Sequence, residues 1–414
     1  MLTGRIREHG GVMTLLDILP SLRSATRPRI DTTVWPLTTQ VDELGRLCVG
    51  SVPLTDVADQ FGTPACVLDE ADFRHRAQRY RTAMRGVEVA YGARSLLTTA
   101  VARWVHAAGL GMAVCSATEL AMAVAGGMDP ARLILHGRAK CTDELALAVQ
   151  TGVGRVVLDS PIEIDYLAGL ARAKQSVLLR VTPGVDVMPA VQRALVTPAV
   201  QVAGLYCGLG SQITDPEVYV DAVRRLVAAL ADIRTAHGVV LTELNIGGGQ
   251  AVELDPGTLA DHLEDALDAA CAAERFPRPR LVIEPGRAIS ARAGVTLLRV
   301  RSVAVRTDGQ VLVATDGNTS GDVKLPVALA NRHVVGPNRR ATVTGQDNQT
   351  IAQDVELPDG LHPGDLLAVA ASGAYQTCRY ATTTRPAVIA VHERAARPLV
   401  RRENVADQLL RDCG

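Results

Sequence analysis

The chain has 414 residues, with 43 Lys and Arg against 44 Asp and Glu and a formal net charge of -1. That balance directs it toward neither nucleic acid nor an acidic membrane surface, and 3% aromatic residues supply no base-stacking platform. With 47% hydrophobic residues it can bury a sizeable core, as two domains or as one barrel with an appendage.

Residues 1 to about 35 mix apolar, Pro and Arg positions (Pro20, Arg27, Pro28, Arg29) and read as a lead-in. The short apolar stretch Val12–Leu19 is broken by Asp17, so no signal peptide is expected. No uninterrupted apolar run approaches the ~20 residues of a spanning helix, and the expectation is a soluble, cytoplasmic protein. From Val87 a rhythm begins. Apolar, largely β-branched runs occur at Val87–Ala93, Met112–Cys115, Leu133–His136, Val156–Leu158, Val177–Val181, Val200–Leu205, Leu241–Ile246 and Leu281–Ile283. Between them, apolar residues recur at helical spacing over Thr99–Ala108, Ala117–Ala125, Asp143–Thr151, Pro161–Ala173, Pro216–His237 and Pro256–Ala273. Eight apolar strands alternating with helices in about 200 residues predict a closed (β/α)8 barrel.

Beyond about residue 295 the pattern becomes strand and turn. Val295–Val305, Val311–Ala314, Ala341–Val343, Leu366–Ala371 and Ala387–His392 alternate with Asp308-Gly309, Pro358-Asp359-Gly360 and Pro363-Gly364. This predicts a C-terminal antiparallel β domain, to which Leu47–Val49 and Cys66–Leu68 add N-terminal strands. The expected division is a lead-in over 1–35, a β domain from 36–70 and 296–414, and a barrel over 71–295.

In such a barrel, chemistry belongs at the C-terminal ends of the strands. Strand six is followed by Gly208-Leu209-Gly210-Ser211-Gln212, strand seven by Gly247-Gly248-Gly249, and strand eight by Glu284-Pro285-Gly286-Arg287. Consecutive glycines let backbone N–H groups close on an anion, and a carboxylate beside an arginine at a strand mouth is a stronger indication. Gly373-Ala374-Tyr375 ends a strand of the second domain. The eight cysteines form no CxxC pair and no Cys/His cluster of zinc spacing, so reduced thiols and no metal are expected.

These pieces, in this order, resemble the fold-type III pyridoxal-phosphate decarboxylases, diaminopimelate decarboxylases in particular. The likeness runs from about Val34 to Asn404 and includes Pro53–Asp69, Ala113–Leu120, Leu135–Lys140, Ile246–Gln250, Glu284–Ala288, Pro358–Val369, Gly373–Tyr375 and Arg385–His392. It implies an alanine-racemase-like barrel and a lyase scaffold. It also implies a homodimer in which each site takes residues from both chains. Gly247, Gly248, Gly249, Gly286, Arg287 and Tyr375 match the family's phosphate-binding positions. Ser211 matches a serine beside the phosphate, and Glu284 matches the glutamate that pairs with the pyridinium nitrogen.

The reacting positions depart from the family. Its first strand ends in Tyr-Ala-x-Lys-Ala, whose lysine forms the Schiff base; here the stretch is Tyr91-Gly92-Ala93-Arg94-Ser95. Arginine stays protonated and supplies no neutral amine. The family's sixth strand ends in His-x-His-x-Gly-Ser-Gln, near a histidine that stacks on the cofactor ring; Gly208 stands at the second histidine's position. Gly345 and Gln346 align with a Cys-Glu pair that completes the partner's site, Lys324 aligns with a substrate-binding arginine, and a loop between Asp186 and Met188 is short. Pyridoxal phosphate is therefore expected to be uncoupled from Arg94 and absent, with a phosphorylated or other anionic ligand in its place. Arg94 is expected to pair with Glu284 or with that ligand. Cys207 and Cys378 are candidates for a pocket thiol pair; Cys115, His136 and Lys140 read as supporting residues.

Three functions remain open at this level. The first is a repurposed small-molecule site with altered chemistry. The second is a pseudoenzyme that regulates an active decarboxylase by hetero-dimerisation. The third is a residual pyridoxal-phosphate-dependent decarboxylase.

Overall fold

A computed structural model describes residues 30–317, 325–346, 348–375 and 384–411. Eight parallel strands close into a barrel in chain order: Val87–Gly92, Gly111–Val114, Leu133–Leu135, Arg155–Leu158, Gln175–Arg180, Val200–Tyr206, Glu243–Asn245 and Arg280–Ile283. The last strand pairs with the first, Leu281 to Val87 and Ile283 to Val89. Ala90, Ile134, Val157, Leu178, Tyr206 and Val282 pack together as one buried cluster inside the ring. Neighbouring strand positions such as Val89, Tyr91, Val156 and Leu205 belong instead to the larger core shared with the helices. Strand alternation divides the two cores.

The crossover helices follow their sequence signals. Thr98, Ser116, Ser160 and Asp255 each cap a helix by accepting a hydrogen bond from a backbone N–H in its first turn. Among the described residues, five helices lie outside the periodicity read from the sequence: Leu54–Phe61, Glu70–Ala83, Met188–Leu195 and the short Arg287–Ser290 and Val405–Leu409. Glu70–Ala83 is rich in charge, yet it buries Phe73, Ala77 and Tyr80 at helical spacing, and its buried Asp72 pairs with Arg76 at 3.0 Å. Among the described residues, no helix is long and apolar enough to cross a membrane.

The second sheet has nine strands and is mixed, which corrects the expectation of an antiparallel one. Its long strand Gly294–Val305 pairs antiparallel with Ala65–Asp69, Leu366–Val369 and Val311–Thr315. Ala387–His392 runs parallel to Ala65–Asp69, and Asn338–Thr344 runs parallel to Val311–Thr315. Leu47–Val49 does not join this sheet. It forms a separate three-stranded sheet with Gln40–Val41 and Val52–Pro53, and meets the larger one through the Leu47 N–H on the Ala330 carbonyl, at 2.9 Å.

The N-terminal ends of the barrel strands carry a charge network. Arg155 begins strand four and reaches Glu243 of strand seven at 2.6 Å and Glu88 of strand one at 3.1 Å. Arg280 of strand eight also pairs with Glu243 and lies 3.5 Å from Glu88. Arg155 and Glu243 are buried, at 7% and 2% exposure of their side chains. Burial raises the Glu88 pKa, but the Arg155 and Arg280 guanidiniums outweigh it and hold the carboxyl below its usual range. Replacing Arg155 with Met should therefore destabilise the chain by about 3–5 kcal/mol, since Glu88 and Glu243 lose their buried counter-charge and keep only the largely exposed Arg280. Stability drawn from a lowered carboxyl is fully present above the unfolded value of about 4.3 and is lost as pH falls through the native one. The gap between wild type and Arg155→Met in urea unfolding should thus be full at neutral pH and narrow below about pH 4. Equal stability at neutral pH would show that the network is dispensable.

Candidate active site at the strand mouths

The C-terminal strand ends surround a cavity of about 700 Å³. Backbone hydrogen bonds fix its rim. The Gly92 N–H donates to the Pro285 carbonyl at 3.1 Å, and the Glu284 N–H donates to the Gly247 carbonyl at 2.8 Å. The turns after strands one, seven and eight are thereby joined. A Cβ on Gly248 would stand 2.4 Å from the Glu284 carbonyl oxygen, and one on Gly286 would stand 2.9 Å from the Gly92 oxygen. Gly249 adopts φ +96°, and its Cβ would stand 2.7 Å from the Gly210 oxygen. These turns admit no side chain at those positions. Tyr375, in the segment after strand Leu366–Val369, is tied in by its N–H on the Ser95 carbonyl at 2.6 Å, and the Arg287 guanidinium lies over its ring at 4.9 Å.

Ser211, Gly248, Gly249, Glu284, Gly286, Arg287 and Tyr375 all line the cavity; Gly247 shapes the turn behind them. Glu284 is buried and accepts from His136 Nε2 at 2.8 Å and from Asn245 Nδ2 at 2.7 Å. Both donors use Oε1. No donor to Oε2 is seen among the described residues, so that oxygen can take a proton donor from a ligand. Arg94 lies in the turn Ala93–Ser95 and also lines the cavity. It does not pair with Glu284, one of its two expected partners; the ion pair and hydrogen bond at that carboxylate come from His136 and Asn245. Arg94 instead acts at longer range on Glu119: burial raises the Glu119 pKa, while the Cys115 N–H and Arg94 oppose the rise.

Cys207 is displaced from its expected role. Strand alternation turns Tyr206 into the barrel and Cys207 out into the helix-facing core, where burial pushes its thiol pKa up against Arg225 and Arg180. Tyr206 is one of the lining residues, with Glu119, Arg138 and Arg180, that the sequence leaves unmarked. Its ring packs edge-on to His136 at 4.7 Å and under the Arg180 guanidinium at 4.6 Å. A Cβ on Gly208 would stand 3.0 Å from the Tyr206 hydroxyl, so the small residue and the large one fit one space. Lys140 does not stand in as a pocket amine. Its Nζ is buried, donates to the Gly137 carbonyl at 2.7 Å and pairs with Glu163 at 3.2 Å. Burial lowers its pKa, and Glu163 opposes that. Gly345 and Gln346 lie beyond strand Asn338–Thr344, away from the cavity lining. Lys324 and Cys378 lie outside the described residues. No cluster of three or more His, Cys, Asp or Glu suited to a metal occurs among the described residues.

Comparison with known proteins places this geometry. The pyridoxal binding domain of pyridoxal-dependent decarboxylases matches residues 70–189 and 184–291. The chain belongs to that decarboxylase family. A diaminopimelate decarboxylase from Actinosynnema pretiosum subsp. auranticum is 40% identical, over 97% of this chain and all of that protein. One from Mycobacterium bovis is 35% identical, over 91% of this chain and 97% of that protein. Among solved structures, the diaminopimelate decarboxylase of m. jannaschi shares the fold with a TM-score of 0.84 at 21% identity, covering 92% of this chain and 98% of that one.

Membership of the decarboxylase family overturns the expectation that pyridoxal phosphate is absent. The matched region is a pyridoxal-binding domain, and it spans the barrel. The residues present fit the cofactor. The glycine turns leave a backbone cradle, Arg287 and Tyr375 stand beside it, and Glu284 keeps one oxygen for a ring nitrogen. Gln250 adds a sign of its own. It lines the cavity at 2% exposure, and among the described residues neither atom of its amide has a hydrogen-bond partner. Its place directly after the glycine triplet was a signal available in the sequence. Gln250→Leu, which keeps the volume but removes the amide, should leave the cofactor-free protein equally stable or more so, and should weaken pyridoxal phosphate binding roughly tenfold or more. Unchanged affinity in a fluorescence titration would show that the amide does not meet the ligand.

Proposed function

We propose that this chain binds pyridoxal phosphate in the strand-mouth cavity and does not carry out the ordinary amino-acid decarboxylation of its relatives. The observation that carries the proposal is Arg94, a guanidinium lining the cavity at the end of strand one. Gly248, Gly249, Gly286, Arg287, Tyr375 and Ser211 would hold the phosphate, and Glu284 would hold the ring nitrogen. When bound, the cofactor supplies an electron sink for bond-breaking at the α-carbon of an amino acid.

The chain's own groups then differ from a decarboxylase in what they offer. A guanidinium stays protonated at neutral pH, so Arg94 binds and orients an anion rather than accepting a proton or donating a nitrogen lone pair. Gly208 offers no imidazole, and Tyr206 occupies the space beneath it. Glu119 is the remaining lining carboxyl, with its pKa raised by burial. The site supports binding and charge stabilisation more than proton handling.

Carbon dioxide release from diaminopimelate, lysine, ornithine and arginine tests this. The cofactor-loaded wild type should turn over at least ~10⁴-fold more slowly than a lysine-bearing relative. Arg94→Lys alone should not restore turnover, because the histidine position remains Gly208. Rapid release by the wild type would establish a residual decarboxylase. Strong activity in Arg94→Lys would mean that Arg94 is the single lesion.

A further inference from the structure

A smaller cavity of about 140 Å³ lies outside the strand mouths. One wall is the helix Glu70–Ala83, where Arg76, Arg79 and Tyr80 are three and four residues apart and so share a face. Loop 252–256, which follows the glycine triplet and Gln250, forms a second wall. Ala288 and Arg292, just before strand Gly294–Val305, close the third side. Arg79 pairs with Asp255 at 2.6 Å, and the other Asp255 oxygen caps the next helix through the Gly257 and Thr258 N–H groups. Asp72 engages the Arg76 Nε at 3.0 Å, and among the described residues no acceptor meets the terminal nitrogens of Arg76.

Two further donors are unmatched. Tyr80 is buried at 3% exposure, and among the described residues its hydroxyl has no hydrogen-bond partner. Burial raises its pKa, and the charges that act on it are those of Arg79, Asp255 and Arg76, so the hydroxyl end of the ring faces the cavity these residues line. Arg292 is half-buried and, among the described residues, has no carboxylate within ion-pair distance. Burial and the neighbouring Arg76 lower its pKa, while Glu253, Asp72 and Asp31 oppose them from beyond that distance. A buried hydroxyl and a partly buried guanidinium are costly to leave without partners. Water can bond the hydroxyl but cannot neutralise Arg292, whereas an oxyanion does both. The volume falls below the ~300–1,000 Å³ of pockets for larger organic ligands. We infer that this cavity binds a small tetrahedral oxyanion of the phosphate or sulfate class, held by Arg292, Arg76 and the Tyr80 hydroxyl. The site is separate from the strand-mouth cavity and does not depend on the proposed pyridoxal phosphate binding.

Calorimetric titration of the full chain with inorganic phosphate, in chloride buffer of matched ionic strength, tests this. The wild type should bind phosphate saturably, and one such site should remain when pyridoxal phosphate is present in excess. Arg292→Gln, which removes the charge, should weaken that site about tenfold or more, and Tyr80→Phe, which removes only the hydroxyl, about fivefold. Without phosphate, Tyr80→Phe should resist urea as well as the wild type or better, because the lost hydroxyl has no bond to give up; this separates loss of the site from loss of the fold. No saturable phosphate binding, binding abolished by pyridoxal phosphate, or binding indifferent to either variant would overturn the site. If pyridoxal phosphate itself fails to bind, that overturns the cofactor reading alone, and the two variants still decide whether phosphate occupies this cavity.

Discussion

Backbone contact between three turns governs this molecule. The barrel closes strand eight onto strand one, and that closure carries the Glu-Pro-Gly-Arg turn against the Arg94 turn through the Gly92 N–H and the Pro285 carbonyl. The Glu284 N–H, on the Gly247 carbonyl, brings in the glycine triplet. At Gly248 and Gly286 the neighbouring carbonyl oxygens lie where a Cβ would be. A side chain at either position would force these turns apart, and with them the cradle, Arg287 and the seat of Glu284. The same contacts fix the backbone from which Arg94 projects, so an exchange at that position alters the chemistry of the cavity without altering its frame.

Alternation along strand six decides the second feature of the site. Tyr206 enters the barrel interior and Cys207 leaves it, and the Tyr206 ring then sits between the His136 edge and the Arg180 guanidinium. The phenol fills volume beneath Gly208 that a larger residue there would contest. Electrostatics follow the same logic. Carboxylates that the fold must keep buried, Glu284 at the mouth and Glu243 at the opposite end, have internal partners. Arg94 and Arg138, which have no carboxylate within ion-pair distance among the described residues, are solvent-accessible, where water lowers the cost of leaving them unpaired.

Much of this was legible in the sequence because it rests on short periods and local motifs. Eight apolar runs placed the barrel strands to within a few residues, and the glycine and Glu-Pro-Gly-Arg turns placed most of the cavity lining. The remainder depended on non-local contacts. Glu70–Ala83 hides its helical face behind a surplus of charge. The parallel pairing of Ala387–His392 with Ala65–Asp69 spans most of the chain and has no local signature. The Glu284 partners come from the ends of strands three and seven, a convergence with no local signature in the sequence. Cys207 was misread for want of strand phase: one residue of register separates a pocket thiol from a core one.

Arg94 lines the same cavity as the glycine turns, Arg287 and Tyr375, the residues proposed to hold a phosphate. The most direct measurement is an equilibrium titration of the purified wild type with pyridoxal phosphate, and in parallel with pyridoxal, which lacks the phosphate. Saturable binding of pyridoxal phosphate at one site per chain is expected, with pyridoxal at least tenfold weaker because the turns and Arg287 would grip the phosphate. Equal affinity for the two compounds, or no binding of either, would contradict it.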